Sequence, residues 1–299
     1  MSFNLYFAGS QSIGIDEYMM YKDVKRLFSY ANECNALKQW NSDGFGPNLL
    51  CDSGAYSVAH QGIKVDIDEY INFINQNYTI ANFIELDVIP YPTLTNDIAQ
   101  ECSDKSWNNY IYMKQRITSQ ANILPVYHFG ESVECLQRIL NTPINNKLAD
   151  YICIGGIRGT LDIQKQYYNY IFSVIKSSDN PDVKVHVLGM TVLNLLEQFP
   201  FYSADSTTWL QLGVNGNIIT DNGIIIMSDR QQNNKMHFNH CSKHLKQKVE
   251  TEIITKGYTV QGLMSNYKER LKFNIDYLQD WAERYVYRGP SDFIDNSLI

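Results

Sequence analysis

Three acidic residues and one histidine sit where an apolar run of the chain gives way to small or polar residues: Asp52 in NLLCDSG, Asp87 in NFIELD, His128 in ILPVYHFG and Asp205 in FYSADS. Gly155 and Gly156 in YICIGG, and Gly189 in VKVHVLG, fall at the same point of their own runs. Carboxylates and an imidazole serve as general acids, general bases and nucleophiles, and glycines let backbone approach a ligand closely. A single Asp in such a place reads better as a turn or helix cap. Recurrence at one run end after another is harder to ascribe to capping. A second grouping, His237, His240, Cys241 and His244 in HFNHCSKH, has the residue types of a zinc site, and on a helix His237, Cys241 and His244 would share a face. No second ligand pair accompanies it, so no metal is the favoured reading and structural zinc stays open.

The elements that must position these residues are short apolar runs at 3–9, 48–54, 82–87, 123–130, 151–156, 183–189, 201–206 and 223–227, each read as a strand. Between most of them lie segments of helical periodicity such as DIDEYINFINQNY and DIQKQYYNYIFSVIKSS. Alternating strands and helices predict an α/β fold, a single (β/α)8 TIM-type barrel over residues 1–299, with a helical C-terminal extension over about 239–285. Active sites of such barrels assemble at the C-terminal strand ends, where the polar residues above fall. The Gly- and Asn-rich stretch between 205 and 223 predicts that the last strand is entered through a hairpin-like turn.

With 44% hydrophobic residues over 299 positions, the chain can bury one large core. Its six cysteines form no CxxC pair and two lie in strand runs, which predicts reduced thiols and a cytoplasmic address. No export signal or membrane span is expected, and so no membrane partner. A net charge of −7 argues against coating nucleic acid by bulk attraction, so such a partner must meet a local patch. Lys243/Lys246/Lys248 and Lys268/Arg270/Lys272 are the candidates, although charge runs of this kind are commonly solvated helix faces.

Taken in order, the motifs resemble the guanine transglycosylases, best known as queuine tRNA-ribosyltransferases, and their relatives that insert 7-deazaguanines into DNA. The resemblance covers roughly residues 48–280. DSGAY at 52–56 is similar to the family's DSGG-aromatic motif, and LDVIPYP at 86–92 to its Asp loop ending in Pro-Tyr-Pro. IGGIRG at 154–159 resembles the GGLA loop, VLGM at 187–190 the LMG segment, and SADSTTW at 203–209 the loop of the nucleophilic aspartate. NGNIITDNGIIIMSD matches the family's turn and last strand. The resemblance implies that Asp205 attacks C1′ of a guanosine, while Asp52 protonates the leaving guanine and later deprotonates the incoming base. In such a retaining transfer the two carboxyl groups stand only ~5 Å apart. It further implies that Asp87 accepts from the base N1 and amine, that His128, where the family usually has Gln, meets the base carbonyl, and that Gly155, Gly156 and Gly189 line its edge. Tyr56 and Leu188 would sandwich the ring. Arg158 stands where the family carries an apolar residue, and could meet a phosphate, a polar substituent of the incoming base, or a surface carboxylate.

The chain departs from the tRNA enzymes in lacking their CxCxxC zinc triad, and it shows no added RNA-binding domain. The expected absence of such a domain points to a DNA enzyme of the kind often carried by bacteriophages, acting in the host cytoplasm, with a base such as 7-cyano-7-deazaguanine. A tRNA transglycosylase of the same chemistry and a catalytically inactive nucleic-acid-binding barrel stay open. Dimers are frequent in the resembling family, which leaves an oligomer open too.

Overall fold

The computed structural model describes residues 3–9, 13–90, 95–157 and 159–294. Nine strands run parallel: β1 (Asn4–Ala8), β2 (Lys25–Ser29), β3 (Leu49–Asp52), β4 (Asn82–Ile84), β5 (Asn122–Leu124), β6 (Val126–Tyr127), β7 (Tyr151–Ile154), β8 (Lys184–Val187) and β9 (Ser203–Ser206). Their order is β5-β4-β3-β2-β1-β9-β8-β7-β6. The two ends of that series, β5 and β6, are consecutive pieces of one run broken by Pro125, which has no N–H to give a ladder. The sheet therefore closes on itself with eight strand positions, a (β/α)8 barrel followed by C-terminal helices.

Period-two alternation sorts the strand side chains. Tyr6, Ala8, Leu27, Leu50, Ile84, Leu124, Val126, Tyr151 and Cys153 fill the barrel interior, with Leu188 and Tyr202 packed on them. Their neighbours Leu5, Phe7, Phe28, Cys51, Phe83, Ile152, Ile154, Val185, Val187 and Ala204 face the surrounding helices. Two steps beyond an inward residue is another inward residue, so Asp52 follows Leu50 toward the mouth and Asp205 follows Ser203.

Seven of the eight expected strands belong to the barrel, and the eighth does not. Residues 223–227 lie within or beside β11 (Gly223–Ile226), which pairs antiparallel with β10 (Asn217–Thr220) in a separate two-stranded sheet. The expected hairpin turn is there, at Asp221 and Asn222, but it leads out of the barrel. The missing barrel strand is β2, whose sequence KRLFS looks amphipathic at best. Arg26 is nonetheless fully buried: its guanidinium donates to the Phe7 and Gly9 carbonyls at 2.9 and 2.8 Å and to Asp16 at 3.0 Å, beneath the rings of Phe28 and Trp40. A charged residue whose three nitrogens each find an acceptor can occupy a strand core. Asp52 thus ends the third barrel strand and Asp205 the eighth.

The C-terminal segment forms helices Lys243–Thr255, Val260–Ser265 and Tyr267–Arg284. The last packs along helix Thr208–Val214 and against β1 and β10, so it forms part of the barrel wall. Its buried Asn274 accepts from the Ile219 N–H at 2.9 Å and donates to the Trp209 carbonyl at 3.2 Å, tying hairpin to barrel. Among the described residues no helix is long and apolar enough to cross a membrane.

Candidate active site

Asp52 is the last residue of β3, and the chain turns at once through Gly54, at φ +94°, into helix Ala55–Gln61. A Cβ on Gly54 would stand 2.4 Å from that of Ala31, so the turn needs glycine in both conformation and space. Its N–H donates to Asp52 Oδ2 at 3.1 Å. Burial, reinforced by the charges of Asp87 and Asp205 and opposed by the Gly54 N–H, pushes the Asp52 carboxyl up to about 8. Asp52 and Asp205 end parallel strands and Asp87 lies just beyond a third, so the three acids stand around one barrel mouth. Cys153, inside the barrel below them, has its thiol raised by burial and then by Asp87, Asp52, Asp205 and Glu85 together.

On the β4–β6 side, the break at Pro125 organises the polar groups. Val126 N–H donates at 2.7 Å to the Glu85 side chain, which stands in for the strand partner that β4 no longer supplies. The chain after β4 curls, with Asp87 N–H donating to the Glu85 carbonyl at 3.0 Å. Asp87 then accepts from Ser53 Oγ at 3.2 Å on Oδ1 and from His128 Nε2 at 2.9 Å on Oδ2. His128 Nδ1 meets Glu131 Oε1 at 3.1 Å. Burial works against a charge on His128, but hydrogen bonds to Asp87 and Glu131 outweigh it and push the imidazole up to about 10. Burial raises the Glu85 carboxyl well above its usual range, against the opposing Val126 N–H.

On the β8–β9 side, Asp205 Oδ1 accepts from the Gly189 N–H at 2.8 Å and faces His186 Nε2 at 3.2 Å. Gly189 holds a left-handed φ of +64° that aims its N–H inward. Behind His186, Nδ1 lies 2.6 Å from Ser203 Oγ, which in turn meets the Tyr151 hydroxyl. Among the described residues no group donates to Asp205 Oδ2, so that oxygen is the one presented to the mouth.

The structure brings Asp52, Asp87, His128, Gly189 and Asp205 together and revises the roles expected of several neighbours. Both ring nitrogens of His128 are engaged by carboxylates, so it supports Asp87 and is not placed to donate to a base carbonyl. The missing side chain of Gly155 makes room for the His128 ring, at 3.3 Å from where a Cβ would stand. That of Gly156 makes room for the Leu188 carbonyl, which would lie 2.3 Å from its Cβ. These two glycines serve strand-to-strand packing before any ligand. Leu188 packs on the barrel interior, whereas Tyr56 is 56% exposed and stacks on His60 with centroids 3.9 Å apart. Arg158 lies outside the described residues, as do Tyr91 and Pro92.

Sequence reasoning passed over Ser53, Glu85, Glu131, Tyr151, His186 and Ser203. The signal for two of them was available: His186 and Ser203 lie two residues before Leu188 and Asp205, on the inward face of their strands. The His/Cys grouping is differently built than a helical face requires. Phe238–His240 is a short 3-10 turn, and Cys241 is extended. Both ring nitrogens of His237 are used, one on the Met227 carbonyl at 3.1 Å and one accepting from the Asn239 N–H at 3.1 Å, and His240 bonds the Gln232 carbonyl at 2.8 Å. Among the described residues no group of three or more His, Cys, Asp or Glu is gathered for a metal. Of the basic patches, the second loses its centre: Arg270 is buried, donating to the Gly213 and Leu263 carbonyls at 2.9 and 2.7 Å. In the first, Lys246 donates to the Asn239 carbonyl at 2.6 Å.

Neither a protein-family model nor a curated protein sequence matches this chain.

Proposed function

We propose that the chain is a guanine transglycosylase, exchanging guanine in DNA for a 7-deazaguanine base through a covalent glycosyl-aspartate intermediate. The observation that carries this reading is the unlike pair at one mouth: Asp52, raised to about 8 and so still holding its proton near neutrality, and Asp205, whose Oδ1 is pinned by two groups while Oδ2 is presented. A retaining glycosyl transfer asks for such a pair, one acid and one nucleophile.

In the first half, Asp205 Oδ2 bonds to C1′ as the C1′–N9 bond breaks, and the Asp52 proton goes to the departing guanine. In the second, the ionised Asp52 takes the proton from N9 of the incoming base. That nitrogen then bonds to C1′ and releases Asp205. Asp87, with two oxygens held by Ser53 and His128, keeps lone pairs for the N1–H and amine of a guanine-like base. A buried acceptor of this kind discriminates against bases lacking those donors. The target nucleotide must leave its stack to reach the mouth, at a cost of a few kcal/mol. DNA is preferred over tRNA on the sequence expectation alone.

The test is to express the chain with a supply of 7-deazaguanine and digest DNA and tRNA to nucleosides for mass spectrometry. Modified deoxyguanosine is the expected result. Modified tRNA with clean DNA would move the proposal to the other polymer, and release of free base without exchange would replace it with a hydrolase.

A further inference from the structure

We infer that Tyr151, Ser203 and His186 form a one-directional hydrogen-bond relay that holds His186 as its Nε2–H tautomer and makes it the positioning residue for Asp205. Asp205 Oδ1 already accepts from the Gly189 N–H, and in the same acceptor role toward the ring at 3.2 Å it takes a hydrogen carried by Nε2. On the other side of the ring, Nδ1, Ser203 Oγ and the Tyr151 hydroxyl form a line of two contacts. With Nδ1 bare, Tyr151 donates to Ser203, Ser203 donates to Nδ1, and every polar hydrogen has an acceptor. With a hydrogen on Nδ1, that hydrogen goes to Ser203, and the two hydroxyl hydrogens are left with the single Ser203–Tyr151 contact between them. One would then lack an acceptor among the described residues, in an interior where His186 and Ser203 are 0% and Tyr151 4% exposed.

The ring has little freedom to escape this arrangement. Tyr6 and Tyr151 meet it edge to face at centroid distances of 5.9 and 6.5 Å, and Asp205 is the charged group that faces it. His186 and the Gly189 N–H therefore converge on the same oxygen of Asp205 and fix which oxygen is left for chemistry. The value of that orientation for catalysis rests on reading Asp205 as the nucleophile. The tautomer does not.

Nuclear magnetic resonance of the full chain with 15N-labelled histidine, His186 being assigned through its own backbone, reads the state directly. One protonated nitrogen, Nε2, and one bare nitrogen, Nδ1, are expected at neutral pH. An imidazolium or an Nδ1–H tautomer overturns the relay. Ser203→Ala removes the donor to Nδ1 and should move the Nδ1 resonance downfield. In base exchange it should lower kcat about tenfold with KM held, the size of loss typical when a partner that orients a site histidine is removed. Ser203→Thr, which keeps the hydroxyl, should restore most of it. Tyr151→Phe should cost less than about threefold, because Ser203 still donates to Nδ1. The opposite ranking, Tyr151→Phe worse than Ser203→Ala, would mean that Ser203 is not the group that holds Nδ1 and would sink the inference. Wild-type protein with the expected nitrogen signature but no base exchange retires the transglycosylase proposal and leaves the relay standing.

Discussion

On the β8–β9 side of the mouth, Asp205 rests on a backbone amide and on a histidine backed by two hydroxyl groups, and every hydrogen of that chain has a place to go. On the β4–β6 side, Asp87 and Glu131 flank one imidazole, and two buried carboxylate oxygens, Glu85 Oε2 and Glu131 Oε2, have no partner among the described residues. The first arrangement aims a single oxygen by uncharged groups, as a nucleophile requires. The second keeps charge buried by compensation, which holds an acceptor rigid for recognition but makes the region sensitive to any change of protonation. On the proposed function, one barrel mouth thus carries a reacting wall and a recognising wall, with Asp52 repelled by the carboxylates of both.

The largest effect should come from striking the reacting wall. Asp205→Asn keeps the shape and removes the nucleophile, so base exchange should fall by about a thousandfold or more and the covalent adduct trapped by denaturing quench should vanish. Exchange at wild-type rate without an adduct would mean that no glycosyl-aspartate forms. Next comes Asp52→Asn, with a loss on the order of a hundredfold or more, typical of a removed general acid. In the wild type, kcat/KM should fall as pH rises through about 8, where Asp52 gives up its proton, and the variant should lose that limb. Stability moves with pH in the same direction as activity, over a range that begins lower. Because the folded-state value of Asp52 lies above its ordinary 3.8, the native state binds the extra proton and wild-type stability declines as pH rises from about 4 to about 8. Asp52→Asn is free of that decline and should melt higher at pH 8, by on the order of 2 °C or more in a scan.

How far the two walls can be read from the sequence differs for a physical reason. Residues at strand ends announce themselves, because a polar residue breaking an apolar run is visible in one dimension, and Asp52, Asp87, His128 and Asp205 were found that way. The groups that support them are harder to see. Period two puts His186 and Ser203 on the inward face with Leu188 and Asp205, but that the two meet is visible only once β8 and β9 align, with His186 opposite Ser203. Glu131 reaches His128 through a turn, and Glu85 acquires its role because Pro125 leaves Val126 N–H in want of an acceptor. The assignment of strands to the barrel failed where burial and hydropathy part company. Arg26 hides a charge in a core strand, while Ile224, in an apolar run, is 55% exposed on a hairpin. Pattern reading assumes that polar means outside, and both errors are violations of that assumption.

The recognising wall should respond in stability more than in chemistry. His128→Ala leaves Asp87 and Glu131 without the imidazole between them, and breaking a buried charge cluster in this way costs about 3 kcal/mol, measurable by urea unfolding. The folded-state value of His128 is raised from 6.5 to about 10, so its contribution is complete below about 6.5 and is lost as pH rises through about 10. The gap between wild type and variant should accordingly be widest near pH 6 and close toward pH 10. A gap that grows with pH would show that the imidazole is not held by the two carboxylates.

The smallest effect, and the sharpest on the difference between the walls, belongs to Glu85→Gln. Burial lifts the Glu85 carboxyl well above its ordinary 4.5, which favours the neutral acid in the fold, and because its Oε1 accepts from Val126, glutamine reproduces that shape and that acceptor. At pH 4, where the side chain is protonated folded and unfolded, the two proteins should be indistinguishable. As pH rises the unfolded wild-type chain alone loses the proton, so the glutamine variant should become progressively the more stable, with exchange activity unchanged. A variant less stable than wild type at neutral pH would mean that Glu85 is ionised in the folded state and that the β4–β6 side buries one more charge than its single histidine can balance.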